Sequence, residues 1–150
     1  MELLHADVTS TILKGFYAVA NDIPFGLDKS FYCNALTIDL QQSGLKIDNY
    51  KTLDVKYKDS VIGQITIDLV VNNAVLVNIL SEDALISPEK IELSKNYLRL
   101  SNFEVLLILN FGIETEHKRI FLSNDYKSRY LLVFTDNNLL DQADSEIGIY

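Results

Sequence analysis

Two apolar runs constrain this chain more than anything else in it: "AVLVNIL" at residues 74–80 and "EVLLILNFG" at 104–112. Neither shows the alternation of a strand with one wet face; runs this continuous suit strands covered on both sides. Between them, "SPEK" places Ser87 at a helix cap and Pro88 at the first helical position. The spacing predicts a helix to about Asn102, with Ile91, Leu98 and Tyr97 facing inward. Strand, helix, strand in that order implies a right-handed crossover and a parallel pair. One letter disturbs the first run: Asn78 is an amide among Ala74, Val75, Leu76, Val77, Ile79 and Leu80.

The flanking segments supply the remaining layers. Val8, Ile12, Phe16, Val19 and Ile23 recur at steps of three and four within residues 7–23, one face of a helix with Asp7 or Thr9 as its cap. "PFG" then breaks the chain. Asp28 can cap a second helix whose buried stripe reads as Leu27, Phe31, Ala35 and Ile38, with Gly44 as its stop. The period changes next: Leu53, Val55 and Tyr57 alternate, "KDS" turns, and Val61 to Val71 is rich in β-branched residues. Asn72-Asn73 suits a tight hairpin turn, because asparagine tolerates positive φ. "KRIFL" and "RYLLVFT" read as two more strands, and the acidic tail "DNNLLDQADSEIGIY" belongs to a candidate C-terminal extension over 123–150. The order ααβββαβ(ββ) describes one α/β sandwich domain over 1–150, a mixed sheet flanked by helices.

A chain of 150 residues is long enough to bury about 70% of its unfolded surface in one domain. Its formal charge of −8 weighs against a broad grip on nucleic acid, since phosphate contacts draw on clustered Lys and Arg. Cys33 is the only cysteine, which excludes an intrachain disulfide and a thiolate zinc cage; it is expected to pack on a helix face. His5 and His117 share no metal-ligand spacing. Without a basic-then-apolar leader or an apolar span near ~18 residues, the expectation is a cytoplasmic protein with no membrane partner.

Three stretches carry a resemblance. "GLDKSFYCNAL" places Gly26 and Tyr32 as in a G-x-x-E-x-x-Y segment. "YKDSVIGQITIDLVVNNAVLVNIL" has the layout of a nuclease strand hairpin, and "NYLRLSNFEVLLILNFG" holds Asn96, Tyr97, Leu98, Asn110, Phe111 and Gly112 in a helix and strand ending N-F-G. Over residues 7–122 the chain resembles the GxxExxY protein family of the PD-(D/E)xK nuclease superfamily. The resemblance implies a restriction-endonuclease-like fold in which an Asp and a Glu hold Mg2+ and a Lys two residues past the Glu assists the attacking water. On that pattern Asp68 takes the Asp position, but E-x-K becomes Asn78-Ile79-Leu80. The G-x-x-E acid becomes Lys29, and the polar helix positions of many members become Lys90 and Leu93.

Of the implied set, only Asp68 keeps its chemistry. It reads as a leftover acid hydrogen-bonded to Asn78 or to water. The competing reading is a rescued site, in which Glu92 with Lys90 or Lys95, or Glu82 and Asp83, turns toward Asp68. Lys90, Lys95 and Arg99 read as a solvated helix face, diluted by Glu89 and Glu92, and Lys118 and Arg119 beside His117 are ambiguous. Tyr17, Tyr32, Tyr50 and Tyr57 read as packing. Phe103, Phe111, Phe121 and Phe134 are material for a subunit interface. The expectation is a catalytically inactive, nuclease-like protein, without cofactor, acting as a homo-oligomer or with a protein partner. The alternatives are an Mg2+-dependent nuclease around Asp68 and a non-catalytic nucleic-acid binder.

Overall fold

A computed structural model describes residues 3–130 and 147–149. Two helices open the chain, α1 (Ala6–Asp22) and α2 (Lys29–Gln42), followed by strands β1 (Ile47–Tyr57), β2 (Ser60–Val71) and β3 (Val75–Leu80). Helix α3 (Pro88–Arg99) leads to β4 (Val105–Asn110), β5 (Glu116–Leu122), the short α4 (Asn124–Tyr130) and β6 (Ile147–Ile149). The six strands form one sheet in chain order, antiparallel at every neighbour except the parallel pair β3–β4. Helix α3 is the crossover the two apolar runs imply. Among the described residues no helix is long and apolar enough to cross a membrane.

Alternation along the central strands sorts the core into two layers. Val75, Val77 and Ile79 of β3, with Val105, Leu107 and Leu109 of β4, pack on Ile12, Phe16, Leu36 and Leu40 of α1 and α2. Leu76, Leu106 and Ile108 point to the other face, against Ile86, Leu98 and Tyr126. All six residues of β4 are buried, the condition its unbroken apolar run calls for. Local signals hold the ends of these elements. Asp28 Oδ2 accepts the Ser30 N–H at 3.1 Å, Ser87 Oγ accepts the Lys90 N–H at 3.2 Å, and Gly44 stops α2 at φ +87°. Asn72 and Asn73 turn the β2–β3 hairpin at φ 52° and 49°.

Several expectations need correction. Helix α1 begins at Ala6 with His5 as its cap residue, not Asp7 or Thr9, and α3 ends at Arg99. The stripe of α2 is inverted: Tyr32, Cys33, Leu36 and Leu40 are buried, while Leu27, Phe31 and Ile38 face solvent. Both stripes obey helical spacing, so periodicity cannot choose between them. The choice comes from α1, where Gly15 lets Leu36 and Leu40 approach so closely that a Cβ there would lie 2.9 Å from Leu40 Cδ2. Tyr17, Tyr50 and Tyr57 are exposed rather than packed, whereas Phe111 is buried and Phe103 and Phe121 pack against the core. Arg129 and Tyr130 belong to α4, not to a strand; residues 131–135 of that expected strand, Phe134 among them, lie outside the described residues.

Helix α4 is fastened by a buried cation. Lys127 Nζ donates to the carbonyls of Leu98, Ser101 and Phe103 at 2.9, 2.9 and 2.7 Å, gathering the last turn of α3 and the loop that follows it. Burial pushes its ammonium down to about 8, so near neutral pH it keeps three N–H groups for three carbonyls. Lys127→Met is expected to lower stability by about 2 kcal/mol in urea unfolding, because it removes the donor that the three carbonyls share. An unchanged midpoint would remove this role.

Candidate functional site

The site lies where two strands part. β2 and β3 pair only from Val71 opposite Val75 to Leu69 opposite Val77; beyond this β2 continues with β1 alone. Asp68 is the next residue on β2, and its side chain occupies the fork. Oδ2 accepts the Ile79 N–H at 2.7 Å, a contact from one strand's side chain to the other's backbone. Lys29, the first residue of α2, places Nζ 3.0 Å from Asp68 Oδ1 and 3.2 Å from Oδ2. One ammonium thus spans both oxygens of a side chain that is 10% exposed.

Asn78 does not join this pair. It projects to the α3 side of the sheet, and Nδ2 donates to Ser94 Oγ at 3.2 Å. Alternation explains the divergence: Asn78 shares its face with Leu76 and Leu80, which pack in the second core layer. The expected bond from Asp68 to Asn78 is therefore replaced by Lys29 and the Ile79 amide.

A family model for the PD-(D/E)XK nuclease superfamily matches residues 6–120. The chain belongs to this superfamily. No curated protein and no solved structure gives a significant match to it. The observed architecture, a mixed sheet with helices on both faces, agrees with the restriction-endonuclease-like fold of the PD-(D/E)XK superfamily.

The other residues that sequence patterns single out have partners away from Asp68. Glu92 pairs with Arg99 at 2.8 Å and Lys95 at 3.8 Å, and the Arg99 guanidinium holds its carboxyl below the usual range. Glu82 lies 3.6 Å from Lys90, and Leu93 is largely open to solvent. Lys90, Lys95 and Arg99 are each ion-paired, so they do not form a free basic stripe. Among the described residues no group of three or more His, Cys, Asp or Glu is gathered in a metal-holding cluster. His117 Nδ1 is 2.9 Å from the Tyr17 hydroxyl, Lys118 pairs with Glu116 at 3.7 Å, and Arg119 donates to the Leu4 carbonyl at 2.8 Å. Cys33 is buried beside Asp68, and burial first, then the Asp68 charge, pushes its thiol up to about 11. It stays a thiol, not a nucleophile.

The residues that carry the sequence resemblance, Tyr32 and Asn110-Phe111-Gly112, build the scaffold of the site. Asn110 closes β4 onto the segment after β3: Oδ1 accepts the Glu82 N–H at 3.0 Å, and Nδ2 donates to the carbonyls of Glu82 at 3.1 Å and Ala84 at 2.8 Å. Phe111 N–H adds a bond to the Leu80 carbonyl at 2.8 Å. A side chain on Gly112 would collide with the Glu82 carbonyl. Phe111 stacks on Tyr32 at a centroid distance of 4.8 Å, and the Tyr32 hydroxyl donates to the Pro24 carbonyl and accepts the Leu27 N–H. N-F-G is thus a clamp at the end of the parallel pair. Neither the clamp nor the partner of the charge-reversed Lys29 is visible in these letters alone. A lone acid and a charge-reversed position in one inferred site were the signal available.

Proposed function

We propose that this protein is a superfamily member of the GxxExxY type that has given up phosphodiester cleavage and works through protein contacts, as a homo-oligomer or within a larger assembly. The Lys29–Asp68 pair carries this reading. A divalent ion held by this carboxylate would have to displace an ammonium already bound by both oxygens at 3.0 and 3.2 Å. It would also lack neighbours of the right chemistry, because Mg2+ selects several oxygen donors. Asn78 is turned to Ser94, and Leu80 offers none. The residues present do not fit the metal that the superfamily pattern implies, and they give metal-assisted hydrolysis no support. The net charge of −8 supports the same reading by disfavouring long contact with phosphates.

Incubation with single- and double-stranded DNA and RNA in Mg2+ or Mn2+ tests the chemistry. The expected result is intact substrate. Cleavage that disappears in Asp68→Ala would overturn the proposal in favour of a rearranged nuclease centred on Asp68. Intact substrate with tight, salt-sensitive binding would instead make the protein a non-catalytic nucleic-acid binder.

A further inference from the structure

Helix α2 has more apolar surface than its own fold uses. One stripe, Tyr32, Cys33, Leu36 and Leu40, is buried against the sheet and α1. On the opposite side Phe31 is 56% and Ile38 58% exposed, with Leu27 just ahead of the helix also exposed. A helix that carries large apolar side chains on two opposite faces is normally covered on more than one side. The outer positions Leu27, Phe31, Asn34, Ile38 and Gln41 recur at steps of four, three, four and three, the spacing of a helix–helix seam.

Two properties of this seam identify its occupant. Its five positions Leu27, Phe31, Asn34, Ile38 and Gln41 are neutral, as are Ser30, Thr37, Ala35 and Gln42 beside them, and Asp28 at the N-terminal end is the one charge on its flanks. In a chain of net charge −8, this is a surface on which a second copy can sit without like-charge repulsion. It is also nearly symmetric about Asn34, which lies midway between Leu27 and Gln41 and almost midway between Phe31 and Ile38. An antiparallel pair with its two-fold axis at Asn34 sets Phe31 against the partner's Ile38 twice and lets the two Asn34 amides meet at the centre. Such an isologous contact needs this self-complementarity, and a contact with an unrelated surface does not.

We infer that the outer stripe of α2 is the self-association surface, packing antiparallel on α2 of a second copy about Asn34. This rests on the reading above that the protein works through protein contacts. A seam along a helix of 14 residues is small beside the ~800 Å² per partner of a standard interface, so dissociation is expected in the micromolar range.

Sedimentation velocity on the full chain across that range tests the inference. Wild type is expected to shift from monomer to dimer as concentration rises. Phe31→Glu/Ile38→Glu should stay monomeric with the wild-type melting curve in dilute solution, because both side chains are exposed in the monomer. Asn34→Cys should form a disulfide-linked dimer on oxidation, whereas Lys14→Cys on the exposed face of α1 should not. Wild type that remains monomeric throughout overturns both the seam and self-association. A dimer that survives the double variant, or Asn34→Cys that does not cross-link, overturns the seam and leaves self-association by another surface. Nucleic-acid cleavage would remove the inactive reading without touching the seam.

Discussion

Lys29→Glu is expected to lower stability by about 3 kcal/mol in metal-free buffer and to make the protein respond to divalent ions. The substitution removes the ammonium that spans both oxygens of Asp68 and brings a second carboxylate to the same fork. Breaking a fully buried pair costs about 3–5 kcal/mol. Here Lys29 is partly exposed, so solvent screening reduces the Coulomb share, while repulsion between the two acids adds to it. For a chain of this size the change corresponds to roughly 10 °C in melting temperature. Two facing carboxylates are also the beginning of a metal site. Millimolar Mn2+ should recover part of the loss in the variant and leave wild type unchanged. Thermal unfolding with and without metal reads both effects. A metal-free variant as stable as wild type, or wild type that gains as much from Mn2+ as the variant, would show that Lys29 is not the counter-ion described.

Asn110→Ala should cost about 3 kcal/mol in urea unfolding and loosen the segment after β3. Asn110 is 1% exposed and uses its oxygen for one backbone donor and its nitrogen for two backbone acceptors. Alanine leaves the Glu82 N–H and the Glu82 and Ala84 carbonyls without those partners. Asn110→Asp separates the contributions: it keeps the acceptor for Glu82 N–H but turns a negative charge toward the two carbonyls. Hydrogen exchange at Glu82 should rise in the alanine variant before global unfolding does. A stability loss below about 1 kcal/mol would mean that the N-F-G clamp is redundant with the Phe111–Leu80 backbone bond.

What could be read in the sequence was what is decided locally. Ser87-Pro88, Asp28, Gly44 and Asn72-Asn73 set boundaries within a few residues of themselves, and the structure puts turns and caps at each. The crossover between two apolar runs fixed the parallel pair, because burial on both faces leaves few topologies open. The outer stripe of α2 was misread for the opposite reason: two faces of one helix satisfied the same period, and only Gly15 on another helix chose between them. Half of the site was legible. The replacement of E-x-K by Asn78 and Leu80 needs no coordinates, and alternation already sends Asn78 to the face of Leu76. The Lys29–Asp68 contact joins positions 39 apart through a fork in the sheet, where alternation no longer says which way an aspartate points.

The contacts at this fork differ in the time they take to form. β1 and β2 are joined by the two-residue turn Lys58-Asp59, and such hairpins close in about 1–10 μs. The parallel pair β3–β4 must first close the segment from Ser81 to Glu104, including a whole helix, and bears a larger loop-closure entropy. The Asp68–Ile79 hydrogen bond spans 11 residues across the tight β2–β3 hairpin and forms with the fast contacts, whereas the Lys29–Asp68 contact spans 39 residues and waits for α2 to dock. The place where a superfamily nuclease would gather its metal ligands is, in this chain, a joint closed in two steps, a local hydrogen bond first and a long-range ion pair between two of its own side chains after it.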